Sequence, residues 1–190
     1  MTAVFADSVV DVARESGAAA ALARLRADSV WDGVPFGPSG YAVVADSDTD
    51  RPVDAESIGE SVLLARGRPT GPLPDGWTLG VLRLRLGLSE RLLAACVEHL
   101  GGRGPAESPL LQRQLVQDTV ADVLIGQLEI RAVLSGARHL APPMVAWLHD
   151  SLSEVDIRAL RLLGASGFTG AGRQVTISEA LAAAYRPEVG

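Results

Sequence analysis

The sequence has no lysine, no asparagine and a single cysteine, Cys96. One cysteine excludes a disulfide within the chain and is typical of a protein in a reducing compartment. All 17 basic residues are arginines, and they are scattered along the chain. With a formal net charge of −6 and a pI near 5.0, the chain lacks the basic patch of a nucleic-acid-binding protein, so we expect no nucleic-acid partner.

Long apolar stretches are also missing. No uninterrupted apolar run reaches membrane-spanning length, and no basic segment followed by an apolar one opens the chain. We therefore expect a soluble, cytoplasmic protein with no membrane partner. Its 190 residues, 47% of them hydrophobic and 21% charged, suffice for one domain with a substantial core, or for a core with an appendage.

The motifs of common catalytic sites do not occur. His99, His139 and His149 are far apart and have no neighbour at metal-ligand spacing, so we expect no metal site. The segment 164–167 (GASG) has the wrong spacing for a nucleophile elbow. This segment and 101–104 (GGRG) follow predicted helices rather than strands, which excludes Walker and Rossmann loops. Both are interpreted as helix ends. An alternative interpretation of 101–104 is a phosphate site, in which the free N–H groups of the following helix hold a phosphate beside Arg103.

Four segments after residue 76 have helical patterns. The first, Gly80–Leu100, is so apolar that we expect it to be covered on most sides. Its polar residues are Arg83, Arg85, Ser89, Glu90, Arg91, Glu98 and His99. The next is Pro109–Leu134, begun by a Ser108-Pro109 start signal. Its predicted apolar stripe is Leu111, Leu115, Val116, Val120, Val123, Leu124, Leu128 and Ile130. The last two are a helix from Pro142-Pro143 to Gly164 and a short one, Gln174–Tyr185.

The first 76 residues have a different composition, with frequent glycine, proline and aspartate after residue 30. Phe5–Ala27 is predicted to be helical with a break at Gly17, and Tyr41–Ala45 and Ser61–Ala65 are predicted strands. A linker with Pro69, Pro72 and Pro74 follows. The fold class predicted is mainly α, with an N-terminal helix and small β element in residues 1–76 and an antiparallel four-helix bundle in residues 77–190.

Three motifs in the bundle segment resemble one protein family. They are the run 87–99 (GLSERLLAACVEH) with Arg103 after it, the run 109–117 (PLLQRQLVQ) with Ala121-Asp122 after it, and the run 159–169 (ALRLLGASGFT). In this order and spacing they resemble the C-terminal helical domain of acyl-CoA dehydrogenases, over about residues 75–185. The resemblance is that of a truncated, divergent member of the family. It implies an antiparallel four-helix bundle that forms the core of a dimer or tetramer.

The resemblance also implies an FAD site shared between subunits. It assigns cofactor contacts to Arg103, Gln114 and Gly164, which match an arginine before the second bundle helix, a glutamine near its start and a glycine of the Q-x-L-G-G adenine contact. Other positions depart from the family, because Ala106 and Glu107 replace a phenylalanine and a glycine. A carboxylate beside a diphosphate is unfavourable unless it points away.

The catalytic base of the family has no clear counterpart in the sequence. The family's glutamate lies either at the position of Trp77 or after a segment that falls near residue 190, where Glu188 is the only late carboxylate. The domains that hold the flavin ring and the thioester would have to be absent or reduced to residues 1–78. The resemblance therefore implies that the chain alone is not an active acyl-CoA dehydrogenase, with FAD bound only at a shared subunit interface.

Three functions are compatible with these features. The first is a companion subunit of a full-length acyl-CoA dehydrogenase homologue, acting on a CoA or carrier-protein thioester and giving Arg103 and Gln114 to its flavin. The apolar Gly80–Leu100 helix favours it, since such a helix calls for cover from another chain. The second is a non-redox cyclase, dehydratase or isomerase in biosynthesis, with a pocket between bundle and N-terminal region. Its candidate residues are Asp75, Trp77, Asp150, Glu154 and His149. The third is a structural homodimer. We favour the first, although fold alone does not decide among them.

Overall fold

The structure is a computed structural model that describes residues 3–29, 33–48, 50, 52–73, 75–102, 111, 113–164 and 170–188. Within these residues the helices are α1 (Ala3–Ser16), α2 (Ala18–Asp28), α3 (Asp75–Gly101), α4 (Gln114–Gly136), α5 (Pro142–Leu163) and α6 (Gly170–Tyr185). The strands are β1 (Tyr41–Ala45), β2 (Glu56–Gly59) and β3 (Val62–Arg66). The predicted class, mainly α with a small β element, is confirmed. None of the described helices is both long and apolar enough to cross a bilayer.

The helix α3 is the centre of the molecule and contacts α1, α2, α4, α5 and α6. Its leucines are buried, as the sequence predicted, and so are two of its polar residues, Arg85 and Ser89. The expectation that this helix needs cover from another chain is wrong. Five helices of the same chain already pack against it, so its apolar composition gives no argument for a partner.

Side-chain contacts define the directions of the bundle helices. Near the end of α3, the Cys96 thiol donates to the carbonyl of Ala159 near the end of α5, at 3.3 Å. Earlier in α3, Arg85 donates to the carbonyl of His149 in the first half of α5 at 3.0 Å, so α3 and α5 run parallel. Arg85 also contacts Ser178 in the second half of α6, whereas Leu88, farther along α3, contacts Gln174 in its first half, so α6 runs antiparallel to α3. The helix α4 is antiparallel too, since Arg83 donates to the Leu134 carbonyl while Ser89 accepts from the Gln127 amide at 3.0 Å. The four helices thus alternate in direction, which confirms the predicted antiparallel bundle.

The helix α4 buries a narrower face than its sequence pattern predicted. Val123, Gln127, Ile130 and Leu134 face the core. Three members of the predicted apolar stripe are exposed instead: Leu115, Leu124 and Leu128. The helix also begins at Gln114 rather than at Pro109, since Arg113 is its extended N-cap residue. The Ser108-Pro109 start signal lies outside the described residues.

The last two helices follow the prediction closely. The helix α5 has Pro142 at its first position and ends before Gly164, as expected. The final helix α6 begins at Gly170, four residues before the predicted Gln174. Its early side chain Gln174 is buried and donates to the carbonyl of Leu88, which holds the first turns of α6 against α3.

The N-terminal segment is two helices, because Gly17 breaks it as predicted. Gly17 has a φ of 86°, which L-residues with a side chain rarely adopt. The helix α1 then lies so close to α3 that a Cβ on Gly87 would be 2.3 Å from the carbonyl oxygen of Val10. These two helices join α3, α6 and the sheet in one hydrophobic cluster around Trp77, Leu84 and Leu181.

The sheet has the order β1-β3-β2, and all its pairs are antiparallel. The strand β1 matches its predicted bounds, and β3 begins one residue late because Glu60 and Ser61 form a turn with positive φ angles of 49° and 57°. The strand β2 was not predicted. It is a short edge strand with exposed Glu56 and Ser57, so it lacks the apolar signal on which the strand prediction depended.

Candidate functional site

The alternation of the helices brings two of the predicted cofactor residues to one end of the bundle. The connection from α3 to α4 and the connection from α5 to α6 both lie at this end, which we call the upper end. Gln114 begins α4 there, and Gly164 follows the last residue of α5 there. Arg103 lies outside the described residues, as do Ala106 and Glu107, so its place stays a prediction.

The amide of Gln114 is exposed and has no hydrogen-bond partner among the described residues. Gly164 has a φ of 53°, and a Cβ built on it would meet nothing within 4 Å. Both residues therefore face open space at the upper end. An amide and an uncovered glycine backbone can contact a bound molecule, but they do not enclose one.

A cleft of about 850 Å³ lies beside Gly164, between α5 and α6. Its apolar lining includes Ile157, Leu160 and Val175, and its charged lining residues are Arg161, Arg173 and Glu179. We call it the α5–α6 cleft.

The charged residues of the α5–α6 cleft differ in whether they have a partner. Glu179 accepts a hydrogen bond from Arg85 at 3.1 Å, so its charge is partly compensated inside the bundle. Arg161 and Arg173 are exposed and have no ion-pair partner in the part of the chain that the structure describes. The cleft thus combines an apolar floor with two available guanidinium groups, an arrangement suited to a molecule that carries phosphate or carboxylate beside an apolar part.

Of this cleft, the sequence analysis identified only Gly164. Arg161 departs from the resembling family, which has the glutamine of its adenine contact at this position, and Arg173 was not singled out at all. The signal for Arg173 was weak, because an arginine in a glycine-rich segment before a helix is usually a solvated side chain. Only the packing of α6 on α5 brings the two arginines to the same cleft.

A second polar feature lies inside the bundle, centred on Arg85, whose side chain is 0% exposed. Its Nε donates to Ser178 Oγ at 3.1 Å, and its Nη1 donates to the His149 carbonyl at 3.0 Å and to His149 Nδ1 at 2.9 Å. Its Nη2 donates to Ser153 Oγ at 3.0 Å and to Glu179. Burial lowers the pKa of this guanidinium, while the carboxylates of Asp156 and Glu179 oppose that effect.

Two buried titratable groups belong to this Arg85 network. The hydroxyl of Ser178 donates to Asp156 Oδ2 at 2.9 Å, and burial raises the pKa of Asp156 to about 6. Burial, together with the charge of Arg85, lowers the pKa of His149 to about 3. Because arginine only donates, His149 Nδ1 must accept and its proton lies on Nε2, which has no partner among the described groups.

The candidate residues of the non-redox enzyme hypothesis are not brought together. Trp77 is 3% exposed and packs edge-on against Tyr185, with ring centroids 5.9 Å apart. His149 is buried against Arg85, while Asp150 pairs with Arg186 at 2.9 Å on the surface. Glu154 is exposed beside Arg158, and the side chain of Asp75 lies outside the described residues.

Two surface clefts lie between the N-terminal region and the bundle. One, of about 380 Å³, is lined by Asp150 but by neither Trp77 nor His149. The other, of about 270 Å³, is lined by Leu73, Thr78 and Tyr185 and by none of the four candidates whose side chains are described. Among the described residues no group of acidic, histidine or cysteine side chains could hold a metal ion. The described candidates of this hypothesis therefore do not share a cleft.

No protein-family model matches the sequence, and neither does any curated protein. Solved structures do match. Butyryl-CoA dehydrogenase from Megasphaera elsdenii is 18% identical with a TM-score of 0.53, and the match covers 80% of this chain and 46% of that one. A chain in the structure of the electron transferring flavoprotein of Acidaminococcus fermentans is 19% identical, with a TM-score of 0.54 and the same coverage. A variant of the steroid ACAD Tcur3481-Tcur3483 is 19% identical with a TM-score of 0.51, covering 75% of this chain and 50% of that one.

The chain thus spans about half the length of the structures that it matches. A match over 80% of 190 residues cannot be confined to the bundle, so it includes part of the chain before Asp75. At this level of identity the comparison establishes the fold and not the activity. The resemblance read from the bundle helices is confirmed in that sense: this chain has the fold of the acyl-CoA dehydrogenases.

Proposed function

We propose that this chain is a companion subunit of a hetero-oligomeric, flavin-dependent acyl thioester dehydrogenase. In this role it contributes contacts from its upper end to an FAD that a larger partner subunit holds. The observation that carries the proposal is the pair of unpaired arginines, Arg161 and Arg173, in the α5–α6 cleft beside Gly164. Paired arginines are well suited to the diphosphate of a dinucleotide, since each can donate two parallel hydrogen bonds.

The described residues fit part of FAD and not the whole of it. Gln114, Gly164 and the two arginines can contact a cofactor from one side. One of the two positions that carry a base in the resembling family is held by Trp77, which is buried against Tyr185 and has no group that removes a proton. The other falls near residue 190, where Glu188 is the only late carboxylate. FAD supplies the hydride acceptor when it is bound. The residues of this chain would hold and orient it, while the base would come from the partner.

One of the matched structures is a steroid ACAD whose name joins two designations, Tcur3481-Tcur3483, which supports a role that is shared between chains. The described candidate residues of the second function, a repurposed bundle enzyme, share no cleft, which makes it the weaker candidate. A structural homodimer remains the outcome expected if no flavin accompanies the protein.

The test begins with the chain purified by a tag from its native cells. We expect a flavin absorption band and a second, larger chain in stoichiometric amount. A colourless homo-oligomer would contradict the proposal. It would support a structural dimer instead.

Variants then test the site itself in the purified complex. Arg161→Ala and Arg173→Ala should each weaken FAD binding about tenfold, the loss expected for one charge-assisted hydrogen bond. Arg103→Ala should do the same if it occupies the family's arginine position. The matched control is Arg158→Ala, which removes an exposed arginine of the same helix outside the cleft. Unchanged FAD affinity in the Arg161 and Arg173 variants would refute this assignment.

A further inference from the structure

The outward face of α4 carries an apolar strip made of Ala121, Leu124, Ile125, Leu128 and Ala132. Four of these residues, at positions 121, 125, 128 and 132, follow spacings of four, three and four, so they lie on one side of the helix. Ile125 is 54% exposed and Leu128 is 53% exposed. Contiguous exposed apolar surface of this kind marks an interaction site more often than an isolated apolar residue does.

The strip continues into a groove of about 550 Å³ between α3 and α4. Leu93, Ala94 and Val97 of α3 line this groove opposite Leu124 and Leu128 of α4. The apolar surface therefore has a depression along its length, into which the side chains of a partner helix can pack.

Carboxylates border the strip on both edges. Asp118, Asp122 and Glu129 lie along the edge of α4 away from α3, and Glu98 of α3 lines the groove on the other edge. All four are exposed, and none has an ion-pair partner in the described part of the chain. The arginine of α4 on the α3 side, Arg131, is already paired with Glu90 at 2.6 Å.

We propose that this surface, the α4 strip with its four carboxylates, binds a helix of a different protein whose apolar side chains are flanked by arginine or lysine. Opposite charges around an apolar centre favour the right partner and disfavour others. Two copies of this chain, paired through the same surface, would bring carboxylates against carboxylates, so a symmetric homodimer is disfavoured here. The inference rests on the proposed function only where it equates this partner with the flavin-carrying subunit.

The first test places a photoreactive p-benzoylphenylalanine in place of Ile125 in the full chain, expressed in its native cells. We expect a cross-link to a helical peptide of another protein, with basic residues within one turn of its apolar side chains. The control carries the same group in place of Asp54, an exposed residue of the β1–β2 connection. A cross-link from position 125 to a second copy of this chain, to an acidic segment or to nothing would overturn the proposal.

The second test reverses charge without touching the strip. The double substitution Asp122→Arg with Glu129→Arg should weaken the purified complex at least about tenfold at low salt, and less at high salt, because salt screens exposed charges. The double substitution Asp54→Arg with Glu56→Arg makes the same change of charge at two exposed residues elsewhere and should have no effect. Equal affinity of the double variant and the original chain would refute the role of the carboxylates.

The two proposals fail in different ways. A colourless complex whose partner is cross-linked at position 125 through a basic helix overturns the flavin function and supports the surface. A flavin-bearing complex that gives no cross-link from position 125 supports the flavin function and overturns the surface. The visible spectrum and the cross-linked peptide therefore have to be read on the same sample.

Discussion

The guanidinium of Arg85 and the imidazole of His149 lie 2.9 Å apart inside the bundle, and both residues are closed off from water. This contact joins α3 to α5, and the bonds from the same guanidinium to Ser178 and Glu179 extend it to α6. A single side chain thus connects three of the four bundle helices. Its burial is acceptable because nearly every donor has an acceptor, which is the condition for burying a charge.

Replacing Arg85 by methionine should destabilise the protein by about 3–5 kcal/mol, because the buried carboxyl of Asp156 and several acceptors lose their cation. Urea unfolding followed by circular dichroism measures the change. The double variant Arg85→Met with Asp156→Leu should lose less than the sum of the single variants, since it removes both charges. Strict additivity would show that the two charges do not interact.

The pH dependence of stability should separate His149 from Asp156. The pKa of His149 is about 3 in the folded protein, below the ordinary value of 6.5. The contribution of His149 to the free energy of unfolding is therefore complete above pH 6.5 and is lost as the pH falls towards 3. The pKa of Asp156 is about 6, above the ordinary value of 3.8, so its contribution is largest below pH 4 and is lost as the pH rises through 6.

The two effects oppose each other between pH 4 and 6, and single variants reveal each one. Relative to His149→Gln, the original chain should gain stability as the pH rises from 3 to 6.5. Relative to Asp156→Asn, it should lose stability as the pH rises from 4 to 6. Each pKa unit corresponds to about 1.4 kcal/mol. Difference curves that are flat over these ranges would contradict the assignment.

Gly87 allows the close approach of α1 to α3, so Gly87→Ala should destabilise the protein by about 1–3 kcal/mol. Its Cβ would meet the backbone oxygen of Val10 at 2.3 Å and the Cβ of Ala13 at 2.7 Å, and a backbone atom cannot simply rotate away. Gly76→Ala, in the same helix, meets no atom within 4 Å and serves as the control. Thermal unfolding of both variants measures the difference, and equal midpoints would disprove the close contact.

The thiol of Cys96 should be unreactive in the folded protein. It is buried, donates to the Ala159 carbonyl and has its pKa raised to about 11 by burial, so little thiolate exists at pH 8. Labelling with Ellman's reagent at pH 8 should proceed only through unfolding and should accelerate in urea. Rapid labelling without denaturant would show that the bundle opens easily around this residue.

Much of the fold could be predicted from the sequence because the signals were local. Proline at the start of α5, Gly164 after its end and the apolar spacing of α3 placed the bundle helices, and Gly17 correctly marked a break. The strand β2 was not predicted, because an exposed edge strand carries no alternating apolar pattern. The predicted stripe of α4 was too wide because the sequence reports which residues are apolar and not which of them another helix covers.

The sequence by itself determined the helices, the antiparallel bundle and the resemblance that led to Gln114 and Gly164, since periodicity, end signals and motifs are properties of neighbouring residues. Tertiary structure alone decided the rest. It buried Arg85 at the contact of three helices, although the sequence marked it only as a polar interruption. It also brought Arg161 and Arg173 to one cleft and left Ile125 and Leu128 uncovered. These outcomes depend on how distant segments pack, and packing is settled by the shape and burial of the whole molecule rather than by any one stretch.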